Sequence, residues 1–139
     1  MTTIEEALEG STPLAQKVRA GGPYDSAAGL IAQMRAVLPA LTEEEKLATL
    51  NAHPRIGDDP RRLSARSLDE QGADQLPELR RLNAEYERRF GFRFVVFVNH
   101  RPKAEIVKVL QDRLGRTREQ EMEEGLRAIV DIAEDRLRS

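Results

Sequence analysis

One local pattern, repeated three times, constrains this chain more than anything else in it. Thr3-x-x-Glu6, Thr42-x-x-Glu45 and Thr117-x-x-Gln120 each place a hydroxyl where it can accept an orphan amide at a helix start. Three residues on, a longer polar side chain can reach back for another. Ser11-Thr12-Pro13 adds a cap followed by proline at the first helical position, and Gly21-Gly22 closes that short helix. Between these punctuation marks the apolar residues recur with helical spacing. Leu30, Met34, Val37 and Leu38 follow a start at Asp25 or Ser26 and run until Pro39, and Leu47 and Leu50 follow Thr42. Leu79, Leu82, Tyr86 and Phe90 form one stripe. Ile106, Val107, Leu110 and Leu114 form a second, and Met122, Leu126, Ile129, Val130, Ala133 and Leu137 a third. The pattern predicts an all-α fold, a single-domain bundle of several helices spanning residues 1–139, whose stripes are core.

Two stretches break the helical rule. His53 to Glu70 carries Pro54, Gly57, Asp58-Asp59 and Pro60, which calls for a loop of about a dozen residues or more. Loops that long inside a compact domain are uncommon and usually functional or disordered. Phe92 to Val98 is a β-branched and aromatic run between Gly91 and Asn99. No partner strand is evident, so the expectation is an isolated extended segment near residues 92–98, threaded through the helices. Its backbone groups have no helical ladder to satisfy them and require other partners.

Composition narrows the chemistry. The chain has 139 residues, no cysteine and two histidines, His53 and His100, which excludes disulfide scaffolds, thiol nucleophiles and multi-histidine metal centres. Asp58 and Asp59 with one upstream histidine are a weak metal signal, and no metal is expected. Lys plus Arg number 22 against 24 Asp plus Glu, a net charge of -2, and the arginine pairs are interleaved with acids as on solvated helix faces. Nucleic acid is therefore not expected as a partner. No run approaches the ~18 apolar residues of a membrane span. Glu5, Glu6 and Glu9 leave residues 1–10 without the apolar core of a signal peptide, so a soluble cytoplasmic protein is expected. Catalysis, if there is any, falls to imidazole, carboxylates, hydroxyls and backbone.

His53 precedes Pro54, which helps end a helix there, and a histidine at a helix C-terminus also serves as an ordinary cap. Ser67-x-x-Glu70 is itself a capping box and could only start a helix, although a helix start with free amides also suits polar or anionic groups.

Taken together, several segments resemble one family. His53-Pro54-Arg55-Ile56-Gly57, Ser67-Leu68-Asp69-Glu70-Gln71, Leu82-Asn83-Ala84-Glu85-Tyr86, Arg89-Phe90-Gly91-Phe92 and Phe94-Val95-Val96 occur in the order seen in the decarboxylases of 2-oxo-4-hydroxy-4-carboxy-5-ureidoimidazoline (OHCU), which act in urate breakdown. The resemblance covers roughly residues 27–137, with 1–26 a divergent or shortened N-terminal region. It implies an all-helical, cofactor-independent carboxy-lyase that forms (S)-allantoin, commonly as a homodimer. It also implies a catalytic pair, His53 and Glu70. Pro54, Ser67, Leu68, Asp69 and Gln71 would contact the substrate, as would the segment Phe94, Val95, Val96, Phe97 and Val98. The chain departs from the usual pattern at Arg55, where Asp is common, at Arg93, where Pro is common, and at Asn99, where Arg is common. Arg55 or Arg101 could replace the lost positive charge. A same-fold enzyme acting on a related ureido or hydantoin-like substrate, or a helical binding module without turnover, are the alternatives.

Overall fold

The capping patterns set the helix starts. In a computed structural model of the chain, which describes residues 2–56 and 77–138, the Thr3 hydroxyl accepts from the Glu6 N–H at 3.1 Å while the Glu6 carboxylate accepts from the Thr3 N–H at 2.9 Å. Thr42 with Glu45, and Thr117 with Gln120, close the same reciprocal pair. Thr12 and Ser26 cap through their side chains alone. The helices that follow are α1 (Ile4–Ala7), α2 (Pro13–Ala20), α3 (Ala27–Val37), α4 (Glu43–Leu50), α5 (Pro77–Phe90), α6 (Lys103–Arg113) and α7 (Arg118–Arg138). Helix α3 stops at Val37, and Pro39 sits inside a short 3-10 turn, Leu38–Ala40, because its missing N–H cannot extend the α-helical ladder. No strand occurs among the described residues, and none of their helices is long and apolar enough to cross a membrane.

The long α7 is the axis of the bundle. It packs against α1, α3 and α4; α2 lies against α1, α3 and α4, and α5 lies against α6. The stripes turn inward as their spacing requires. Leu79, Leu82, Tyr86 and Phe90 are all buried, as are Ile106, Val107 and Leu110. Leu30, Leu114 and Leu137 are only partly covered, at the margins of the core. Each fully buried Leu or Ile contributes roughly 1.5–3 kcal/mol from removed apolar surface.

Residues 93–98 form neither helix nor strand and run through the bundle as an isolated segment. Phe92 and Phe94 anchor it. Their rings lie 6.0 and 5.2 Å from the Tyr86 ring, edge-on, and Phe90 lies 4.6 Å from the same ring. Such tilted and edge arrangements suit the aromatic quadrupole. At the segment's far end Asn99 and His100 take positive φ, 48° and 64°, and turn the chain into α6. Asn and His are among the side chains that tolerate this region best.

Candidate active site

Helix α4 ends at Leu50 because Pro54 forces the residue before it out of the helical region. That residue is His53, whose N–H still reaches the Leu50 carbonyl at 3.3 Å, and whose side chain is turned inward and buried. Its backbone is held from the other side of the chain crossing. Arg93 donates from Nη1 to the His53 carbonyl at 3.0 Å, and the Arg93 N–H donates to Asn51 Oδ1 at 2.9 Å. Arg93 stands where the resemblance would place proline, so this departure ties the extended segment to the histidine.

The imidazole Nε2 is buried and has no hydrogen-bond partner among the described residues. Burial pushes the His53 pKa down to about 4; the nearby Glu9 carboxylate opposes the shift and the Arg136 guanidinium adds to it. At neutral pH the ring is therefore uncharged. Asn83 Oδ1, Arg113 Nη2 and Glu121 Oε2 are buried without a hydrogen bond among the described residues as well, but of these four atoms only His53 Nε2 belongs to a residue bordering the cavity lined by all of Phe94 to Val98, where a ligand group can reach it.

His53 opens onto a pocket bordered by Pro54, by the run from Phe94 to Val98, and by Asn99 and His100. The described part of the expected site is thus brought together: His53 and Pro54 face the five residues Phe94, Val95, Val96, Phe97 and Val98 across one cavity. Ser67, Leu68, Asp69, Glu70 and Gln71 lie outside the described residues, as does the loop from Gly57.

Two sequence candidates for a substrate-facing cation sit elsewhere. Arg55 makes a two-pronged bond to Glu87 at 2.6 and 3.0 Å and borders a separate cleft with Arg80, Asn83 and Arg88. Arg101 folds back onto its own chain, donating to the Val98 and Phe97 carbonyls. Arg136 is what the sequence reading missed. From the last turn of α7 it borders the His53 pocket, is 2% exposed, pairs with Glu9 at 2.8 Å and donates to the Glu6 and Ala7 carbonyls, each at 3.2 Å. The signal was present. Position 136 lies three, four and seven residues after Ala133, Ile132 and Ile129, so a charge occupies a slot that the helical period assigns to the core.

The behaviour of this site can be compared with known proteins. Residues 1–138 match the model of the family described as OHCU decarboxylase, a match that takes in the region 1–26. The chain is 30% identical over 142 residues to the "Uric acid degradation bifunctional protein PucL" of Bacillus subtilis, covering 97% of this chain and 29% of that one. It is 28% identical over 139 residues to the 2-oxo-4-hydroxy-4-carboxy-5-ureidoimidazoline decarboxylase of Haloferax volcanii, covering 95% and 83%. The chain thus spans less than a third of the length of the Bacillus bifunctional relatives. Among solved structures, an OHCU decarboxylase crystallised in the presence of (S)-allantoin superposes with a TM-score of 0.77 at 22% identity, covering 96% of this chain and 92% of that one, which shows a shared fold.

Proposed function

The chain belongs to the OHCU decarboxylase family, and from that membership we propose that it removes CO2 from 2-oxo-4-hydroxy-4-carboxy-5-ureidoimidazoline to give (S)-allantoin, with His53 moving the proton. The observation that carries the proposal is the pocket itself. It sets a neutral imidazole, whose Nε2 has no partner among the described residues, opposite a run of non-helical backbone, with a guanidinium at its wall.

The reaction suits these groups. The C–C bond to the carboxylate breaks, its electron pair forms a C=C bond to the ureido-bearing carbon, and the C=N electrons move onto nitrogen, which takes up a proton. The resulting enol then loses its hydroxyl proton as the carbonyl forms and gains one on the ureido-bearing carbon. The ring C=N is its own electron sink, so the chemistry calls for neither metal nor organic cofactor. An uncharged His53 can accept the hydroxyl proton and return one to carbon, and delivery from a fixed ring to one face gives a single enantiomer. Proton transfer of this kind typically contributes ~10²–10⁴ in rate. In this proposal Glu70 orients the imidazole and the substrate hydroxyl, and Ser67, Leu68, Asp69, Gln71 and Pro54 hold the substrate. Phe94 to Val98 meet the ureidoimidazoline ring through their backbone. Arg136 draws in the anionic carboxylate. The same proposal takes the protein to be a cytoplasmic homodimer, which light scattering and cell fractionation test.

The catalytic test generates the unstable substrate in situ from urate with the two preceding activities and follows circular dichroism at the allantoin band. Wild type should produce a faster, one-handed signal, and a folded His53→Ala should not. Slow racemic decay matching the blank rejects the assignment, and full activity in His53→Ala removes His53 from it.

A further inference from the structure

The extended segment has two sides, and the side away from His53 is built as carefully as the pocket. Arg113, at the end of α6, is buried beneath it. Its Nη1 donates to the Val95 carbonyl at 2.9 Å, its guanidinium lies 4.6 Å from the centre of the Phe94 ring, and its Nε donates to Glu121 Oε1 at 2.7 Å. The Tyr86 hydroxyl donates to the same Oε1 at 2.7 Å, and the other Glu121 oxygen pairs with Arg116 at 3.3 Å. Glu121 is completely buried, so this carboxylate is held by cations and a phenol rather than by water. Further along, Arg101 donates to the Phe97 and Val98 carbonyls. Arg101 and Arg113 border one cleft, behind the segment, and neither borders the His53 pocket.

Peptide geometry turns this into a statement about the front. A trans peptide is planar, with its C=O and the following N–H directed oppositely. The Val95–Val96 peptide is trans, so fixing the Val95 oxygen on Arg113 aims the Val96 N–H the other way. The carbonyls on either side of Val96, those of Val95 and Phe97, go to the two arginines behind, and the Val98 carbonyl joins Phe97 on Arg101 where the chain turns. The intervening residue, Val96, borders both the rear cleft and the His53 pocket, and among the described residues none accepts from its N–H or donates to its C=O.

We propose that Arg113 and Arg101 are positioning residues, a pair of guanidinium clamps that turn the segment so that Val96 presents one N–H and one C=O, side by side, to the amide edge of the ligand. The inference rests on the proposed reading of the pocket as a ureidoimidazoline site and adds what fixes the recognition edge. The Tyr86–Glu121 pair acts one step further back, holding Arg113 in the orientation that its fork requires.

The test uses two variants of the full chain. Arg113→Lys keeps a cation near Glu121 and Phe94 but lacks the planar fork that serves Glu121 and the Val95 carbonyl together. Arg101→Ala removes a partly exposed side chain and spares the core. Both should raise KM and the Kd for added (S)-allantoin by about three- to tenfold, the worth of one hydrogen bond to a poorly aligned edge, and leave kcat within about twofold. In nitrogen-15 spectra the Val96 amide of wild type should shift on adding (S)-allantoin, and that response should weaken in both variants. A merely structural role would lower the melting temperature and the active fraction while KM stayed put, and that outcome overturns the proposal. An unchanged KM in both folded variants overturns it too. If wild type has no turnover, the proposed reaction falls; the Val96 amide then still decides the clamp, which is refuted if (S)-allantoin leaves that amide unmoved.

Discussion

Burial of His53 makes a quantitative forecast. The folded protein holds its pKa at about 4, against an ordinary value near 6.5, because a charged ring in that pocket loses its water. Between those two values the unfolded chain binds more protons than the folded one, so stability rises with pH across the window and is lost as pH falls through it. Relative to pH 7.5, where the ring is neutral in both states, linkage gives a loss of about 2 kcal/mol at pH 5. Glu9 and Arg136, the charges that face the ring, act in opposite senses and leave burial dominant. Replacing His53 with Asn removes the titration and keeps a polar group of similar reach. Urea unfolding at pH 7.5 and pH 5 on both proteins isolates the effect. Wild type should lose about 2 kcal/mol more than His53→Asn, a difference of about 1 M in midpoint for a urea slope near 2 kcal/mol per M. The carboxylates of Glu5 and Glu45, held below their usual range mainly by the Arg19 side chain and by the Thr42 backbone N–H, also weaken the fold in acid, but equally in both proteins. Identical pH dependence in the two would refute a buried, neutral His53.

Other substitutions test other parts of the molecule. Glu121→Ala strands the buried Arg113 charge and should cost about 3–5 kcal/mol in chemical denaturation, whereas Tyr86→Phe, which removes one donor, should cost about 1 kcal/mol. Gly91 ends α5 at φ +83° with open space around an added methyl, so Gly91→Ala should lose about 1 kcal/mol from backbone strain alone; an unchanged melting temperature would contradict that. Arg93→Ala unties the His53 carbonyl and should lower turnover several-fold while shifting stability by less than about 1 kcal/mol, the range typical of partly exposed positions.

Local chemistry in the sequence is what made the helices legible. The Thr3, Thr42 and Thr117 boxes report their own helix starts within three residues, and the Leu79 to Phe90 stripe reports its own buried face. The extended segment was readable for the opposite reason, since Phe92 to Val98 fits no helical period. What sequence reasoning missed are charges at core-facing positions. Arg113, Glu121 and Arg136 are all buried, yet each looks like another charged residue on a helix of mixed charge. Their partners come from elsewhere in the chain: Val95 for Arg113, Tyr86 for Glu121, and Glu6 to Glu9 for Arg136. A long-range partner leaves no mark on the neighbouring residues; for Arg136 the helical period marks a core-facing slot but does not say what the charge meets there.

The Arg136 contact with the Glu6 carbonyl joins positions 130 apart in the chain. Every helix in the bundle can form from neighbours within a few residues, but this wall of the His53 pocket closes only when two very distant stretches meet, and such closures are the slow ones. Regain of activity after dilution from denaturant should therefore lag behind regain of helical ellipticity. A chain with α2 through α6 in place remains without a working pocket until α7 docks on α1, so the site doubles as a reporter that assembly is complete.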